Sequence, residues 1–159
     1  QPEQVKKLLI ADLWKMKEEG RKITMITAYS FPQGLIVDEA GIDVILVGDS
    51  LGMVELGYRD TIPVTMEEML AHTRPVVRAV KRAHVVGDLP FMSYNISLEQ
   101  AVTNAGVLYK DGGADSIKLE GGQEMAATVS APCLYRTRIS SQLPLAAITA
   151  WVSNPTGRS

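Results

Sequence analysis

Cysteine and the large aromatic residues are scarce in this sequence, and no long apolar run occurs. The 159 residues include one cysteine, two phenylalanines and two tryptophans. Since the single cysteine, Cys133, cannot form an internal disulfide, we expect a reducing compartment, the cytoplasm. The longest apolar stretch, residues 143–152, is about half of the ~20 residues that span a bilayer, and residues 1–8 lack the apolar segment of a secretory signal. We therefore expect no membrane partner.

Neither sign of charge dominates the chain. Sixteen Lys and Arg residues oppose 18 Asp and Glu residues, which gives a formal net charge of −2. Without a basic stripe there is no electrostatic reason to expect a nucleic-acid partner. The content of 46% hydrophobic and 21% charged residues is typical of globular proteins, which excludes disordered and collagen-like classes.

Several common catalytic and nucleotide-binding motifs are missing. No Gly-Lys-Ser/Thr follows a glycine-rich loop, and no Gly-x-Gly-x-x-Gly opens a helix after a strand. His72 and His84 have no Ser or Cys in triad order around them, so we interpret both as structural residues. We assign no role to Cys133.

Acidic residues are absent from the last part of the chain. All 18 precede Met125, and the only charged residues after it are Arg136, Arg138 and Arg158. The apolar residues of this part follow neither the helical nor the strand period. The composition therefore changes after Glu124. A family resemblance, given below, ends near Ala131, and it leads us to separate residues 1–131 from an atypical tail, residues 132–159, which we expect to be an aberrant ending, as after a frameshift, or disordered.

Strand and helix patterns alternate four times before the tail. The predicted strands are residues 23–28, 44–47, 84–87 and 116–119, and the predicted helices are residues 4–19, 34–40, 65–83 (kinked at Pro75) and 97–112. The sequences Thr65-Met-Glu-Glu68 and Ser97-Leu-Glu-Gln100 are typical of capping boxes at helix starts. With no hairpin signal between the strands, the pattern predicts an α/β fold with a parallel sheet.

Three acidic residues stand at the carboxyl ends of predicted strands: Asp49, Asp88 and Glu120. The carboxyl edge of a parallel sheet or barrel is where ligands bind. Carboxylates that converge there would repel one another unless a cation lay between them, and an all-oxygen ligand set favours Mg²⁺. The alternative is that each acid caps the helix that follows it.

Lys118 and Ser50 are candidate anion-binding residues beside these acids. Lys118 lies two residues before Glu120, so strand alternation places both side chains on one face of the sheet. An ammonium in a buried strand needs an anionic partner. Lys118 either neutralises Glu120 or also binds a substrate carboxylate, to which Ser50 could donate a hydrogen bond.

Taken in order, these segments resemble the ketopantoate hydroxymethyltransferase family from about Ala11 to about Ala131. The segments that carry the resemblance are residues 22–29 (KITMITAY), 38–53 (DEAGIDVILVGDSLGM), 57–58 (GY), 61–65 (TIPVT), 72–73 (HT), 88–94 (DLPFMSY), 104–106 (NAG) and 112–122 (GGADSIKLEGG). The pieces GDSLG and KLEGG, in this order, are highly specific together.

The resemblance implies a (β/α)8 TIM barrel of the phosphoenolpyruvate/pyruvate superfamily, of which this chain would cover roughly the first four βα units, so that residues 1–131 are the N-terminal part of a barrel domain. It implies transfer of a hydroxymethyl group from 5,10-methylenetetrahydrofolate to 3-methyl-2-oxobutanoate, giving ketopantoate through a Mg²⁺-stabilised enolate, and a homo-oligomer. By position, Asp49, Asp88 and Glu120 match the metal-site acids, Glu120 through water. Asp49, Ser50, Asp88 and Lys118 match residues that bind the keto acid.

The family's catalytic base is a glutamate that follows its fifth strand and a Gly-His-Ile-Gly-Leu segment. Residues 132–159 contain neither that segment nor any glutamate. We therefore assign no catalytic base. The alternative hypothesis is an inactive, truncated half-barrel that at most binds metal or keto acid.

Overall fold

The computed structural model describes residues 5–121, 123–128, 130 and 148–151, the last four as backbone. The strands are β1 (Met25–Thr27), β2 (Val44–Val47), β3 (His84–Asp88), β4 (Ser116–Glu120) and β5 (Ile148–Trp151). The α-helices are α1 (Ile10–Glu18), α2 (Phe31–Glu39), α3 (Leu51–Val54), α4 (Met66–Ala79) and α5 (Leu98–Lys110), and Gln123–Met125 forms a 3₁₀ turn.

The five strands form one parallel sheet in the order β1-β2-β3-β4-β5. Helices join the first four strands, which confirms the predicted α/β class. Every residue of β3 is buried, as expected of a strand covered on both faces. Because all strands run the same way, the ends of β2, β3 and β4 bring their polar residues to one edge of the sheet.

Helix α4 packs closely against α2 through Gly34. A Cβ atom at Gly34 would lie 3.3 Å from the Cβ of Ala79 and 3.4 Å from the backbone of Val76. Any larger side chain at this position would therefore separate the two helices. Val76 and Met69 of α4 are fully buried and fix this helix over the sheet.

Two helices begin at different places than the sequence predicts. Helix α1 starts at Ile10 rather than residue 4, and residues 1–4 lie outside the described part. The preceding segment is held by a tertiary contact instead, since the Leu8 N–H donates to the Arg82 carbonyl at 2.7 Å. Helix α2 starts at Phe31 rather than at residue 34, because Ser30 is its N-cap and Pro32 is tolerated in a first turn.

Helix α4 ends at Ala79, four residues before the predicted end, and passes through Pro75. The reason is the Asp38 carboxylate of α2, which accepts hydrogen bonds from the backbone N–H groups of Lys81, Arg82 and Ala83 at 2.7–3.1 Å. These amides cannot also continue the helix. A side chain distant in sequence therefore decides where α4 stops.

The two predicted capping boxes have different outcomes. At Thr65 the box is complete, because Thr65 accepts from the Glu68 N–H and Glu68 accepts from the Thr65 N–H. At Ser97 only half is formed: Ser97 caps Gln100, but the Gln100 side chain accepts from the Ile96 N–H. The second prediction was therefore right about the helix start and wrong about the reciprocal bond.

The tail contributes strand β5, which the sequence analysis did not predict. Residues Ile148–Trp151 pair in parallel with Ile117–Glu120 of β4. The other residues of the tail, and with them the expectation of an aberrant or disordered ending, lie outside the described residues. No helix in the described part of the chain is long and apolar enough to cross a membrane.

Candidate functional site

Three charged side chains meet where β3 and β4 end. Asp88 and Lys118 are register partners on these neighbouring strands. The Lys118 Nζ lies 2.7 Å from Asp88 Oδ2 and 2.8 Å from Glu120 Oε1. The predicted pairing of Lys118 with Glu120 is therefore confirmed, and Asp88 is a second partner.

Burial and mutual attraction set the protonation of this group. Asp88 is 2% exposed, and burial raises its pKa to about 6, although Lys118 pulls the value down and the charges of Asp49 and Glu120 push it further up. Burial also disfavours the Lys118 ammonium, but Asp88 and Glu120 outweigh it and raise the pKa of Lys118. The site thus keeps a charged lysine beside a carboxyl that titrates near neutral pH.

Asp49 follows β2 and faces the same charges. Burial raises its pKa, a hydrogen bond from the Thr61 hydroxyl opposes that rise, and the charge of Glu120 adds to it. The positive charge of Lys118 acts to lower the pKa of Asp49. The charges of Asp49, Asp88 and Glu120 therefore influence one another at one edge of the sheet.

The donor set fits a divalent cation held by few protein ligands. Asp88 Oδ1 is buried and has no hydrogen-bond partner among the described residues. Within the same part of the chain, no three His, Cys, Asp or Glu side chains are grouped closely enough to hold a metal ion together. Lys118 already lies between Asp88 and Glu120, so these two carboxylates do not face each other across an empty site. A cation with few protein ligands is still compatible with the acids, because Mg²⁺ typically takes one or two protein carboxylates and completes its shell with waters and substrate oxygens.

Ser50 lies next to Asp49, at the N-cap of α3. Its side chain makes no capping hydrogen bond. Instead, Ser50 Oγ lies 2.9 Å from the hydroxyl of Tyr29, which follows β1. The sequence analysis assigned no role to Tyr29, and no motif spacing signals a contact across 21 positions of sequence.

Tyr94 is a second residue that the sequence analysis missed. It is 6% exposed, and its hydroxyl accepts a hydrogen bond from the Glu120 N–H at 3.3 Å. Burial raises the pKa of Tyr94, and the nearby charges of Glu120 and Asp88 act in the same direction. A neutral phenol therefore borders the charged cluster.

Both histidines make hydrogen bonds that connect distant parts of the chain. His72 Nδ1 lies 2.7 Å from the Tyr29 carbonyl. His84 Nδ1 lies 3.1 Å from the Leu8 carbonyl, and its Nε2 lies 2.7 Å from Ser116 Oγ. Because a carbonyl only accepts, each Nδ1 carries the proton, and neutral His84 accepts from Ser116 at Nε2.

Solved structures show which fold class this chain has. A phosphonopyruvate hydrolase, solved in complex with oxalate and Mg²⁺, superposes with a TM-score of 0.64 at 16% identity over 77% of this chain and 46% of its own. A 2,3-dimethylmalate lyase of the PEP mutase/isocitrate lyase superfamily gives 0.58 at 14% identity over 81% and 48%. The fold of this chain is thus part of an α/β barrel, with charged residues at the carboxyl ends of its strands.

Sequence comparison identifies the family within that class. The profile of ketopantoate hydroxymethyltransferase matches residues 7–142, so the chain belongs to that family. The match continues past Ala131, where the sequence analysis ended the resemblance.

Curated relatives named 3-methyl-2-oxobutanoate hydroxymethyltransferase agree with this assignment. The protein of Thermoanaerobacter sp. (strain X514) is 64% identical over 119 residues, which are 75% of this chain and 43% of that protein. The protein of Moorella thermoacetica is 58% identical over 125 residues, or 79% and 46%. The chain therefore spans about half the length of the curated relatives that it matches.

Proposed function

We propose that this chain carries the Mg²⁺ and keto-acid site of an enzyme that transfers a hydroxymethyl group from 5,10-methylenetetrahydrofolate to 3-methyl-2-oxobutanoate, giving ketopantoate in pantothenate biosynthesis. The observation that supports this proposal best is the cluster of four charged side chains, Asp49, Asp88, Lys118 and Glu120. The chain is also 64% identical over 119 residues to a relative named 3-methyl-2-oxobutanoate hydroxymethyltransferase. The reaction itself is carried over from the relatives' names and from the family resemblance.

In this proposal Asp49 and Asp88 hold the cation, and Glu120 acts on it through water. This role is supported by Asp88 Oδ1, which is buried and has no hydrogen-bond partner among the described residues. When bound, Mg²⁺ supplies positive charge that stabilises the negative charge arising as the keto acid loses its β-proton. Ionised Asp88 is required, so the site is ready for the cation above about pH 6.

Lys118 and Ser50 bind the carboxylate of the keto acid. The ammonium has three donors, of which the two short contacts to Asp88 and Glu120 occupy two. The third donor remains for a substrate oxygen. Because Lys118 is held by carboxylates on two sides, it stays charged and in a fixed position while negative charge develops on the substrate.

A second candidate function is binding without turnover. It is favoured by the composition of the site, since the residues placed above bind a cation and an anion but none of them is assigned as the base that removes the β-proton. In that case the chain would bind Mg²⁺ and 3-methyl-2-oxobutanoate and release the acid unchanged.

Exchange of the β-proton in D₂O distinguishes the two functions. The single proton at C3 of 3-methyl-2-oxobutanoate splits its methyl signal, so exchange converts a doublet into a singlet by NMR without any folate. The proposal expects Mg²⁺-dependent exchange that is lost in Asp49→Ala and kept in Glu67→Gln, whose side chain is exposed on α4. No exchange, together with Mg²⁺-dependent binding of the acid, would support the second candidate.

The remaining expectations also stay proposals. We infer a cytoplasmic location from the single cysteine, small-molecule partners rather than nucleic acid or membrane from the near-neutral charge, and homo-oligomers from the family resemblance.

A further inference from the structure

Tyr29 lies in the segment between β1 and α2, and both of its backbone polar groups are hydrogen-bonded to side chains. Its backbone N–H donates to Gln33 Oε1 at 2.7 Å, and its carbonyl accepts from His72 Nδ1 at 2.7 Å. Its side chain is 6% exposed. Side chains of α2 and α4 thus hydrogen-bond to the backbone of Tyr29, one at its N–H and one at its carbonyl. These bonds restrict where the Tyr29 hydroxyl can lie, which is beside Ser50.

The Ser50 hydroxyl bonds to Tyr29 rather than to its own helix. A serine that caps a helix usually has an extended backbone, whereas Ser50 has helical angles (φ −53°, ψ −15°) and makes no capping hydrogen bond. Its hydroxyl lies 2.9 Å from the Tyr29 hydroxyl. Gly48 leaves room for this arrangement, because a Cβ at that position would lie 3.2 Å from Ser50 Oγ.

The direction of the Tyr29–Ser50 hydrogen bond decides whether Ser50 can bind an anion. Either hydroxyl can donate. If Ser50 donated to Tyr29, its only hydroxyl proton would be used in that bond. Ser50 would then present only lone pairs to a carboxylate, which it could not bind. If Tyr29 donates to Ser50 Oγ, the Ser50 proton is free and points to another acceptor, and its donor strength rises through cooperative polarisation.

We propose that Tyr29 is a positioning residue for the substrate carboxylate: it donates its hydroxyl proton to Ser50 Oγ, so that Ser50 donates to the carboxylate of the bound 2-oxo acid. This inference rests on the proposed function, in which Ser50 binds that carboxylate. Tyr29 acts through Ser50 and touches no substrate atom. The Mg²⁺ ligands lie outside this relay.

The test is calorimetric titration of the whole chain with 3-methyl-2-oxobutanoate in saturating Mg²⁺, and separately with Mg²⁺ alone. The variants are Tyr29→Phe, Ser50→Ala and the double variant. Tyr58→Phe is the matched control, since it also removes one tyrosine hydroxyl bonded to a side chain, that of Glu68. Thermal unfolding verifies that each variant is folded.

Tyr29→Phe is expected to weaken keto-acid binding roughly three- to tenfold, the usual effect of losing one hydrogen bond, and to leave the Mg²⁺ affinity unchanged. Ser50→Ala should weaken the keto acid at least as much, and the double variant no more than Ser50→Ala, because the two residues act in series. Tyr58→Phe should bind like the wild type. Gly48→Ala, whose added Cβ would lie 3.2 Å from Ser50 Oγ, should also weaken keto-acid binding.

Four results would overturn the inference. Equal keto-acid affinity in wild type and Tyr29→Phe, or additive losses in the double variant, would remove the relay while the proposed function stands. Parallel losses of keto-acid and Mg²⁺ affinity in Tyr29→Phe would show a merely structural role. If the wild-type chain binds no keto acid with Mg²⁺, the proposed function fails and the relay with it.

Discussion

Asp88 and Lys118 stand opposite each other on adjacent parallel strands, and their side chains form an ion pair of 2.7 Å that is almost completely buried. One oxygen of the pair remains free, since Asp88 Oδ1 has no partner among the described residues. Burying the two charges costs desolvation energy, which their attraction repays fully only when the remaining lone pairs are also satisfied. In the proposed function, a bound cation would satisfy this oxygen.

Removing the ammonium should disturb both the keto acid and Asp88. Lys118→Met is expected to weaken binding of 3-methyl-2-oxobutanoate by at least about tenfold, since a charge-assisted contact is lost. The pKa of Asp88 should rise above 6, because Lys118 lowers it in the wild type. Calorimetry and carboxyl ¹³C NMR titration measure the two effects. Lys110→Met, at the exposed end of α5, is the control, and an unchanged Asp88 pKa in Lys118→Met would contradict the interpretation.

Mg²⁺ affinity should depend on pH around the Asp88 pKa. That pKa, about 6, lies above the ordinary value of 3.8, so protons compete with the cation as the pH falls through 6. The apparent Kd is expected to be nearly constant above pH 7 and about tenfold weaker at pH 5. The raised pKa of Asp49 acts in the same direction. Titrations at several pH values check this, and a pH-independent Kd from 5 to 7.5 would show that Asp88 is no ligand.

The Asp38 carboxylate should be among the largest single contributions to stability outside the core. Asp38→Ala leaves the amides of Lys81, Arg82 and Ala83 without their acceptor, and we expect the free energy of unfolding to fall by about 2–4 kcal/mol. Asp38→Asn keeps one acceptor oxygen and should lose less. Urea denaturation measures both, and equal losses for the two variants would show that the hydrogen bonds are not the cause.

His84 should make the protein less stable in acid. Burial lowers the pKa of His84 below its ordinary 6.5, so the unfolded chain takes up a proton more readily than the folded one. Stability contributed by the neutral ring is thus present above pH 6.5 and decreases as the pH falls below it. Between pH 7.5 and 5.5 the wild type should lose more free energy of unfolding than His84→Gln. Equal losses in urea titrations would refute this origin.

The parallel sheet could be predicted from the sequence because each strand is marked by a run of apolar residues that are adjacent in sequence. Val44–Val47 has apolar, mostly β-branched residues on both faces, and the structure places β2 at those four residues. The charged edge followed from the same reasoning, since Asp49, Asp88 and Glu120 come at strand ends. To predict that these acids lie near Lys118, it was sufficient to know that the strands run in the same direction.

The features that the sequence did not predict depend on contacts between distant residues. The end of α4 is decided by Asp38, more than 40 positions away. The pairing of Tyr29 with Ser50 joins two loops, and neither helical nor strand periodicity reports on such a contact. Strand β5 depends on pairing with β4 rather than on an alternating pattern of its own.

The measurement that tests the central claim most directly is calorimetric binding of 3-methyl-2-oxobutanoate with and without Mg²⁺, in the wild type, Asp88→Asn and Glu67→Gln. We predict binding by the wild type and Glu67→Gln only when Mg²⁺ is present, and a loss of at least about tenfold in Asp88→Asn. Binding that is equally tight without Mg²⁺, or undiminished in Asp88→Asn, would contradict the assignment of this cluster as a metal-dependent keto-acid site.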